Sequence, residues 1–342
     1  VHNLTLTLTN QLPRALVEAF TEVVALTTPK AHEEFIRLAK VNHIDLGEKP
    51  DRLTSADLAI LFYCRHRPFF MMAFVGLETA KPQAFDEFFD CNRASLSEKA
   101  TPEQVEKLRL RILRWWLEQK RAQFTEVLVV QEEKGVKFLV VRADAAKSLS
   151  VIDPETLKRE QVQFIPDKHD IIEYDERSGR LSIHTSYPRD INAYRSIMGE
   201  VFWSDPERYK ETRAYTCAPL VRDGAASLTA KGVPEVESVR LTEFQMSADD
   251  GVNDAVLHLK KRKRDADWAP HLPAAIETAN AMELNQVDYV KLAVKLVNRK
   301  NAIKVEIHPP RKLSVERGAQ VEVIRRLLRE RGFLIPVFSD AS

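Results

Sequence analysis

In TEVLVVQEEKGVKFLVVRA, residues 125–143, the hydrophobic period of the chain changes. An apolar run, the polar QEEKG and a second apolar run follow one another, which predicts an antiparallel hairpin. DIIEYDERSGRLSIHT (170–185) repeats the pattern, with Ile172 and Tyr174 facing Leu181 and Ile183 across a Ser-Gly turn. RDINAYRSIMGEVFWSDPERY (189–209) returns to helical spacing, and VESVRLTEFQM (236–246) and DAVLHLKKRKR (254–264) read as two more strands.

Downstream, QVDYVKLAVKLV (286–297) alternates, with Val290, Leu292, Val294 and Leu296 on one side and Lys291 and Lys295 on the other. NRKN turns the chain, and AIKVEIH (302–308) returns with Ile303, Val305 and Ile307 inward. After PPRK, SVERGAQVEVIRRLLRERG (314–332) predicts a helix closed by Gly332.

Upstream, the first 123 residues read mostly as helix. LTLTLTN (4–10) alternates as a short opening strand, and PRALVEAFTEVVAL (13–26) and KAHEEFIRLAKV (30–41) carry three- and four-residue apolar steps. SADLAILFYC (55–64) begins a third helix, cut at Pro68. PFFMMAFVGLETA (68–80) is a buried helix or a buried strand, and KPQAFDEFFDCN (81–92) is a short amphipathic helix or turn. In TPEQVEKLRLRILRWWLEQKRAQF (101–124), Thr101 is the N-cap, Pro102 the first helical residue and Gln104 the reciprocal capping partner. Val105, Leu108, Ile112 and Trp115/Trp116 line one face, widened by Leu110, Leu113 and Leu117, so this helix packs on other elements. The expected class is α+β: a helical N-terminal region (1–123), a central, mostly antiparallel sheet with an inserted helix (124–268), and a C-terminal hairpin-plus-helix unit (269–342).

Of 342 residues 44% are hydrophobic and 30% charged, an ordinary globular composition without low-complexity segments. No GxGxxG or GxxxxGK[ST] string occurs, so no nucleotide cofactor is expected. No apolar run reaches the length of a membrane span, and VHNLTLTLTNQLP lacks a basic segment before an apolar one, so a cytoplasmic protein without a membrane partner is expected. Cys64, Cys91 and Cys217 lie far apart, form no zinc framework, and are expected as buried reduced thiols.

The net charge of +1 hides an asymmetry: residues 251–342 hold seventeen Lys and Arg against eleven Asp and Glu. A basic C-terminal part on a mildly acidic body points to a polyanionic partner. Lys260, Lys261, Arg262, Lys263 and Arg264 stand in a row at the end of a strand, where charge blunts a sheet edge and can track phosphates. Because alternate strand residues point to opposite faces, two or three of the five share a surface. Lys291, Lys295 and Arg325 complete the candidate set for contact with DNA or RNA.

Two constellations carry an alternative, enzymatic reading. His258, Lys260 and Asp265 have the spacing of the phospholipase-D-type motif, in which a histidine attacks phosphorus and a lysine holds phosphate oxygen. This chain departs from that family in the four charged residues between lysine and aspartate and in lacking a second copy. Asp288, Glu306 and His308 loosely resemble the acidic residues of a PD-(D/E)xK nuclease, with histidine in place of lysine. Asp249, Asp250 and Asp254 read as a solvated turn rather than a metal loop, and Asp86 and Asp90 as one turn of a surface helix. YCRHRPFF (63–70) reads as a base-stacking cluster or a helix–helix corner. GxSxG and HExxH signatures are absent. The leading expectation is a non-enzymatic, nucleic-acid-associated subunit or adaptor of a bacterial multi-component system, with a protein partner or a second copy. A purely protein-binding structural module is the third reading.

Overall fold

A computed structural model describes residues 14–47, 52–79, 83–90, 95–121, 124–132, 135–144, 146–152, 158–211, 213–248, 255–260, 267–315 and 320–335. The opening alternation, Cys91, the Asp249/Asp250/Asp254 turn and Lys261 to Asp265 lie outside them. The chain forms two compact units, Val1–Lys81 and Pro82–Ser342.

The first unit is helical: α1 (Arg14–Ala25), α2 (Pro29–Val41), α3 (Ser55–Arg65) and α4 (Arg67–Thr79). Thr28 caps α2 through the Ala31 N–H, and Thr54 and Asp57 form a reciprocal capping box at the start of α3. Pro68 falls in the first turn of α4, where its missing N–H costs nothing, so the interruption becomes a corner between two helices. At that corner the Arg67 guanidinium lies 4.1 Å from the Tyr63 ring centre and 5.1 Å from that of Phe70. Phe35, Phe62 and Phe70 stack in the core over Ala31, Ala59 and Ala73, whose small side chains let the helices approach. Cys64, expected buried, is exposed.

The second unit is built on one antiparallel sheet. Its strands are β1 (Gln83–Phe89), β2 (Thr125–Glu132), β3 (Gly135–Ala143), β6 (Asp167–Asp175), β7 (Arg180–His184), β8 (Lys210–Glu211), β9 (Val236–Ser247), β10 (Val256–Lys260), β11 (Gln286–Leu296), β12 (Ile303–His308) and β13 (Lys312–Val315). β4 (Lys147–Ile152) and β5 (Arg159–Phe164) pair separately as a two-stranded hairpin. The order is β10-β9-β11-β12-β13-β1-β7-β6-β3-β2, with β8 on β1. Helices α5 (Pro102–Glu118), α6 (Pro188–Trp203), α7 (Ala218–Asp223), α8 (Leu272–Ala281) and α9 (Gln320–Glu330) complete the unit. This confirms the α+β class. The boundaries read from the sequence at 123 and 268 fall inside this unit, because strands from all three segments share the sheet. No described helix is long and apolar enough to cross a membrane.

β1 corrects the sequence reading. Residues 81–92 read as a short amphipathic helix or turn, yet Gln83–Phe89 is a strand between β13 and β7. A central strand is buried on both faces and loses its alternation. Here Phe85, Glu87 and Phe89 lie on one face and Asp86 and Phe88 on the other, and all are buried. Asp86 bonds to Arg311, and Asp90 to Arg208 and Tyr174, so neither belongs to a surface helix.

Two hydrophobic clusters form on this sheet. In the first, α5 and α6 cover β1, β3, β6 and β7 through Phe88, Leu108, Ile112, Trp116, Phe138 and Ile172. In the second, α8 and α9 cover β9, β11, β12 and β13 through Phe89, Leu272, Leu292, Val305, Ile324 and Leu327. Phe88 and Phe89 are successive residues of one strand, so the two clusters occupy opposite faces of the sheet. Each fully buried side chain of this size contributes roughly 1.5–3 kcal/mol.

The first cluster holds a polar network. Arg142 Nε donates to Asp170 Oδ2 at 2.7 Å, Tyr194 Oη donates to the same oxygen at 2.8 Å, and Trp116 Nε1 donates to Tyr194 Oη at 3.2 Å. Trp116 is therefore core, as its helix pattern implies. Thr101 caps α5 through the Gln104 N–H, but the reciprocal bond expected from Gln104 is not made: its Oε1 has no hydrogen-bond partner. At the β2–β3 turn only glycine fits, since a Cβ on Gly135 would lie 1.9 Å from the Tyr174 carbonyl oxygen.

Candidate functional site on the sheet face

Every described helix of the second unit contributes buried apolar side chains to one of the two clusters. None is committed to the outer face of β9, β11, β12 and β13, opposite α8 and α9. The residues there are the polar members of the alternating strands. Lys260, Glu243, Lys291, Glu306 and Ser314 are register partners across β10, β9, β11, β12 and β13. Opposite charges thus face one another strand by strand, an arrangement that stabilises a sheet surface.

A second row lies beside it. His258, Gln245 and Tyr289 are partners across β10, β9 and β11, and His308, Lys312 and Asp86 across β12, β13 and β1. The Tyr289 ring joins the two groups, with its centre 6.0 Å from that of His258 and 5.2 Å from that of His308. Further along the same face Arg240 and Lys304 flank Ala293, and Lys295 partners Ser238. Basic side chains therefore outnumber acidic ones on this surface.

The two rows share a hydrogen-bonded cluster. Tyr289 Oη donates to Glu243 Oε1 at 2.6 Å, and His258 Nε2 lies 2.8 Å from that oxygen and 2.9 Å from Tyr289 Oη. Lys291 Nζ lies 3.2 Å from Glu243 Oε2 and 3.3 Å from Glu306 Oε1. His308 Nε2 faces Glu306 Oε2 at 3.6 Å. Burial of Glu243 works against its charge, but hydrogen bonds from Tyr289, His258 and Lys291 outweigh that and hold its carboxyl at about 2. Burial, reinforced by the Glu243 carboxylate, pushes the Tyr289 hydroxyl far above its ordinary range. Burial lowers Lys291, but contacts with Glu243 and Glu306 raise it further, so its ammonium stays charged. Burial lowers His308, which Glu306 only partly offsets. At neutral pH the cluster thus presents a carboxylate at Glu243, a phenol, an ammonium and a neutral His308 imidazole. Tyr289, Lys291, Glu306, His308 and His258 all keep solvent access, with side-chain exposures of 31%, 31%, 34% and 38% for Lys291, Glu306, His308 and His258.

The residues singled out in the sequence are distributed as follows. β10 is the edge strand of the sheet, as expected, and Lys260 is exposed at its end. Lys261, Arg262, Lys263, Arg264 and Asp265 lie outside the described residues. Lys291 is on the polar face. Lys295 is on the same face, but its ammonium donates to the carbonyls of Arg299 and Lys300 and so ties down the β11–β12 turn. Arg325 leaves the phosphate-contacting set: its side chain is 3% exposed and paired with Glu87 on the opposite face. A guanidinium buried against a carboxylate cannot reach a phosphate. Asp288, at a bulge in β11, accepts from Gln245 Nε2 at 3.0 Å and Ser247 Oγ at 2.7 Å, while Glu306 and His308 belong to the Lys291 cluster. Among the described residues no three His, Cys, Asp or Glu side chains are grouped to hold a metal ion.

Sequence reasoning missed Glu243, Tyr289, Arg240, Lys304 and Lys312. The alternation of β11 carried the signal for Tyr289, two residues before Lys291 and therefore on the same face. A scan against protein-family models and a search of curated proteins find no match to this chain.

Proposed function

We propose that this chain is a nucleic-acid-associated subunit or adaptor of a multi-component assembly, and that it docks a single strand on the outer face of β9–β13. The observation that carries this reading is the row His258–Tyr289–His308 on an accessible sheet face among Lys260, Lys291, Lys304 and Lys312. Single strands are held on sheet faces by stacking of splayed bases on aromatic rings and by cations along the backbone. A duplex hides the flat surfaces of its bases and gains only the phosphate contacts.

Binding of fluorescent single-stranded and duplex oligonucleotides, followed by anisotropy over a range of salt, tests the reading. Single strands should bind more tightly, and the association constant should fall as salt rises. Tyr289→Ala should weaken binding by about 1–3 kcal/mol. Equal affinity for both forms, or binding untouched by salt, would sink it.

A further inference from the structure

We propose that His258 and His308 are an acid–base pair that cleaves single-stranded RNA lying across this face, with the ribose 2′-hydroxyl as nucleophile. The proposal rests on the docking reading above and adds the chemistry. Each imidazole has Nε2 turned to a carboxylate, His258 to Glu243 at 2.8 Å and His308 to Glu306 at 3.6 Å. That leaves Nδ1 of each ring to exchange a proton with a substrate. The hydrogen bond to Glu243 fixes the orientation and tautomer of the His258 ring, the service a carboxylate performs in other acid–base sites, while Glu306 faces His308 from ion-pair distance.

The pairs are coupled into one cluster. Lys291 bridges the two glutamates and spends two of its three N–H donors on them, so the third can meet a phosphoryl oxygen. Tyr289 stands between the two rings, 6.0 Å and 5.2 Å from them, so the imidazole centres are no more than about 11 Å apart, within reach of one phosphodiester group whose attacking and leaving oxygens each need a proton partner. The joined side chains Glu243, His258, Tyr289, Lys291, Glu306 and His308 include no serine, threonine or cysteine to attack phosphorus. A nucleophile carried by the substrate completes it, and RNA carries one beside every phosphate.

The step balances without a co-reactant. His308 Nδ1 takes the 2′-hydroxyl proton as O2′ bonds to phosphorus. The P–O5′ bond breaks, its electron pair leaves on O5′, and that oxygen takes a proton from the His258 imidazolium. The products are a 2′,3′-cyclic phosphate and a 5′-hydroxyl, and solvent returns the proton from one imidazole to the other. The neutral state that burial gives His308 suits it to the base, which leaves the acid's place to His258 on the other side of Tyr289.

The test uses the whole chain and one sequence made as 5′-labelled RNA, DNA and 2′-O-methyl RNA. Cleavage of RNA alone is expected, leaving a 2′,3′-cyclic phosphate. His258→Ala and His308→Gln should each slow it by about 100- to 10,000-fold, the range for a lost general acid or base. Both histidines belong to the stacking row, so each substitution should also weaken binding of the uncleavable 2′-O-methyl strand; cleavage is therefore compared at saturating protein, where lost stacking does not register as lost chemistry. His258 lies on an exposed edge, and glutamine at 308 keeps a polar side chain of similar length, so circular dichroism should show both variants folded. If the protein binds the 2′-O-methyl strand but leaves RNA intact, or if cleavage survives both substitutions, the cleavage proposal is overturned and docking stands. If neither strand binds, docking and cleavage fall together.

Discussion

Arg325 of α9 and Glu87 of β1 form an ion pair closed to solvent, with side-chain exposures of 3% and 0%. Tyr215 completes the group, donating to Glu87 Oε2 at 2.8 Å and accepting from Arg325 at 2.9 Å. Taking two charges out of water is costly, and the pair survives because each partner cancels the other and Tyr215 adds a hydrogen bond to both, although the Arg325 Nε–H has no partner among the described residues. Arg325→Ala should destabilise the second unit by about 3–5 kcal/mol, since it strands a buried carboxylate. The double variant Glu87→Leu with Arg325→Met should recover much of that loss. Urea denaturation of the two variants measures both, and equal losses would show that packing rather than charge governs the site.

The Tyr194 hydroxyl tests the first cluster. It donates to Asp170 and accepts from Trp116 in the fully buried network around Arg142. Burial pushes this hydroxyl well above its ordinary 10, so it is a donor at neutral pH. Tyr194→Phe keeps the ring, removes both bonds and leaves the Trp116 N–H without its partner. The expected loss is about 1–3 kcal/mol, read as a lower denaturation midpoint with an unchanged slope.

Gly135 tests the turn between β2 and β3. With φ at +158° and the Tyr174 carbonyl oxygen where a methyl would sit, alanine requires the β3–β6 ladder to move. Gly135→Ala should therefore cost more than the roughly 1 kcal/mol that separates glycine from alanine in unstrained backbone. Amide exchange in β3 and β6 should accelerate with it, while exchange in the first unit should not change.

Glu243 predicts an acid limb. Its carboxyl is held at about 2 in the fold against an ordinary 4.5. The folded state therefore binds fewer protons than the unfolded chain between those values. The stability this provides is complete above about 4.5 and is lost as pH falls through about 2. Glu243→Gln should remove on the order of 1–3 kcal/mol at neutral pH and flatten the stability curve across that window. His308 acts in the same direction at higher pH: burial lowers it from 6.5, so its contribution is complete above that value and declines on acidification. A histidine ring-proton titration by NMR should place its midpoint below 6.5.

Elements whose pattern is local were legible in the sequence. The hairpins at 125–143 and 170–185 and the helix from Pro102 declare themselves by period, turn and cap within a few residues. β1 did not, because its two faces are both buried and its charges are neutralised by Arg311 and Arg325, which lie 225 and 238 residues away. The C-terminal segment from Ser314 was read as one helix, whereas Lys312–Val315 is a strand and the helix starts at Gln320. Part of the candidate surface was visible, since Lys260 and Lys291 sit on polar positions of alternating strands. Arg325 could not be told from an exposed arginine, because nothing near it in the sequence names Glu87. The meeting of Tyr289 with Glu243 joins residues 46 apart through strand register, which amphipathic pattern alone does not fix.

The place of β1 in the sheet has a consequence for how the chain is made. Its neighbour β7 becomes available about a hundred residues after it, but its other neighbour, β13, is synthesised last among the described strands, and Arg325 later still. A ribosome therefore releases most of the second unit while the central strand still has an open edge and a carboxylate without its counter-charge. Such long-range pairing is slow to close and exposes a pairing edge to other chains in the meantime. Assembly of this unit is governed by its final segment: until β13 zips onto β1, the two halves of the sheet are separate growing structures.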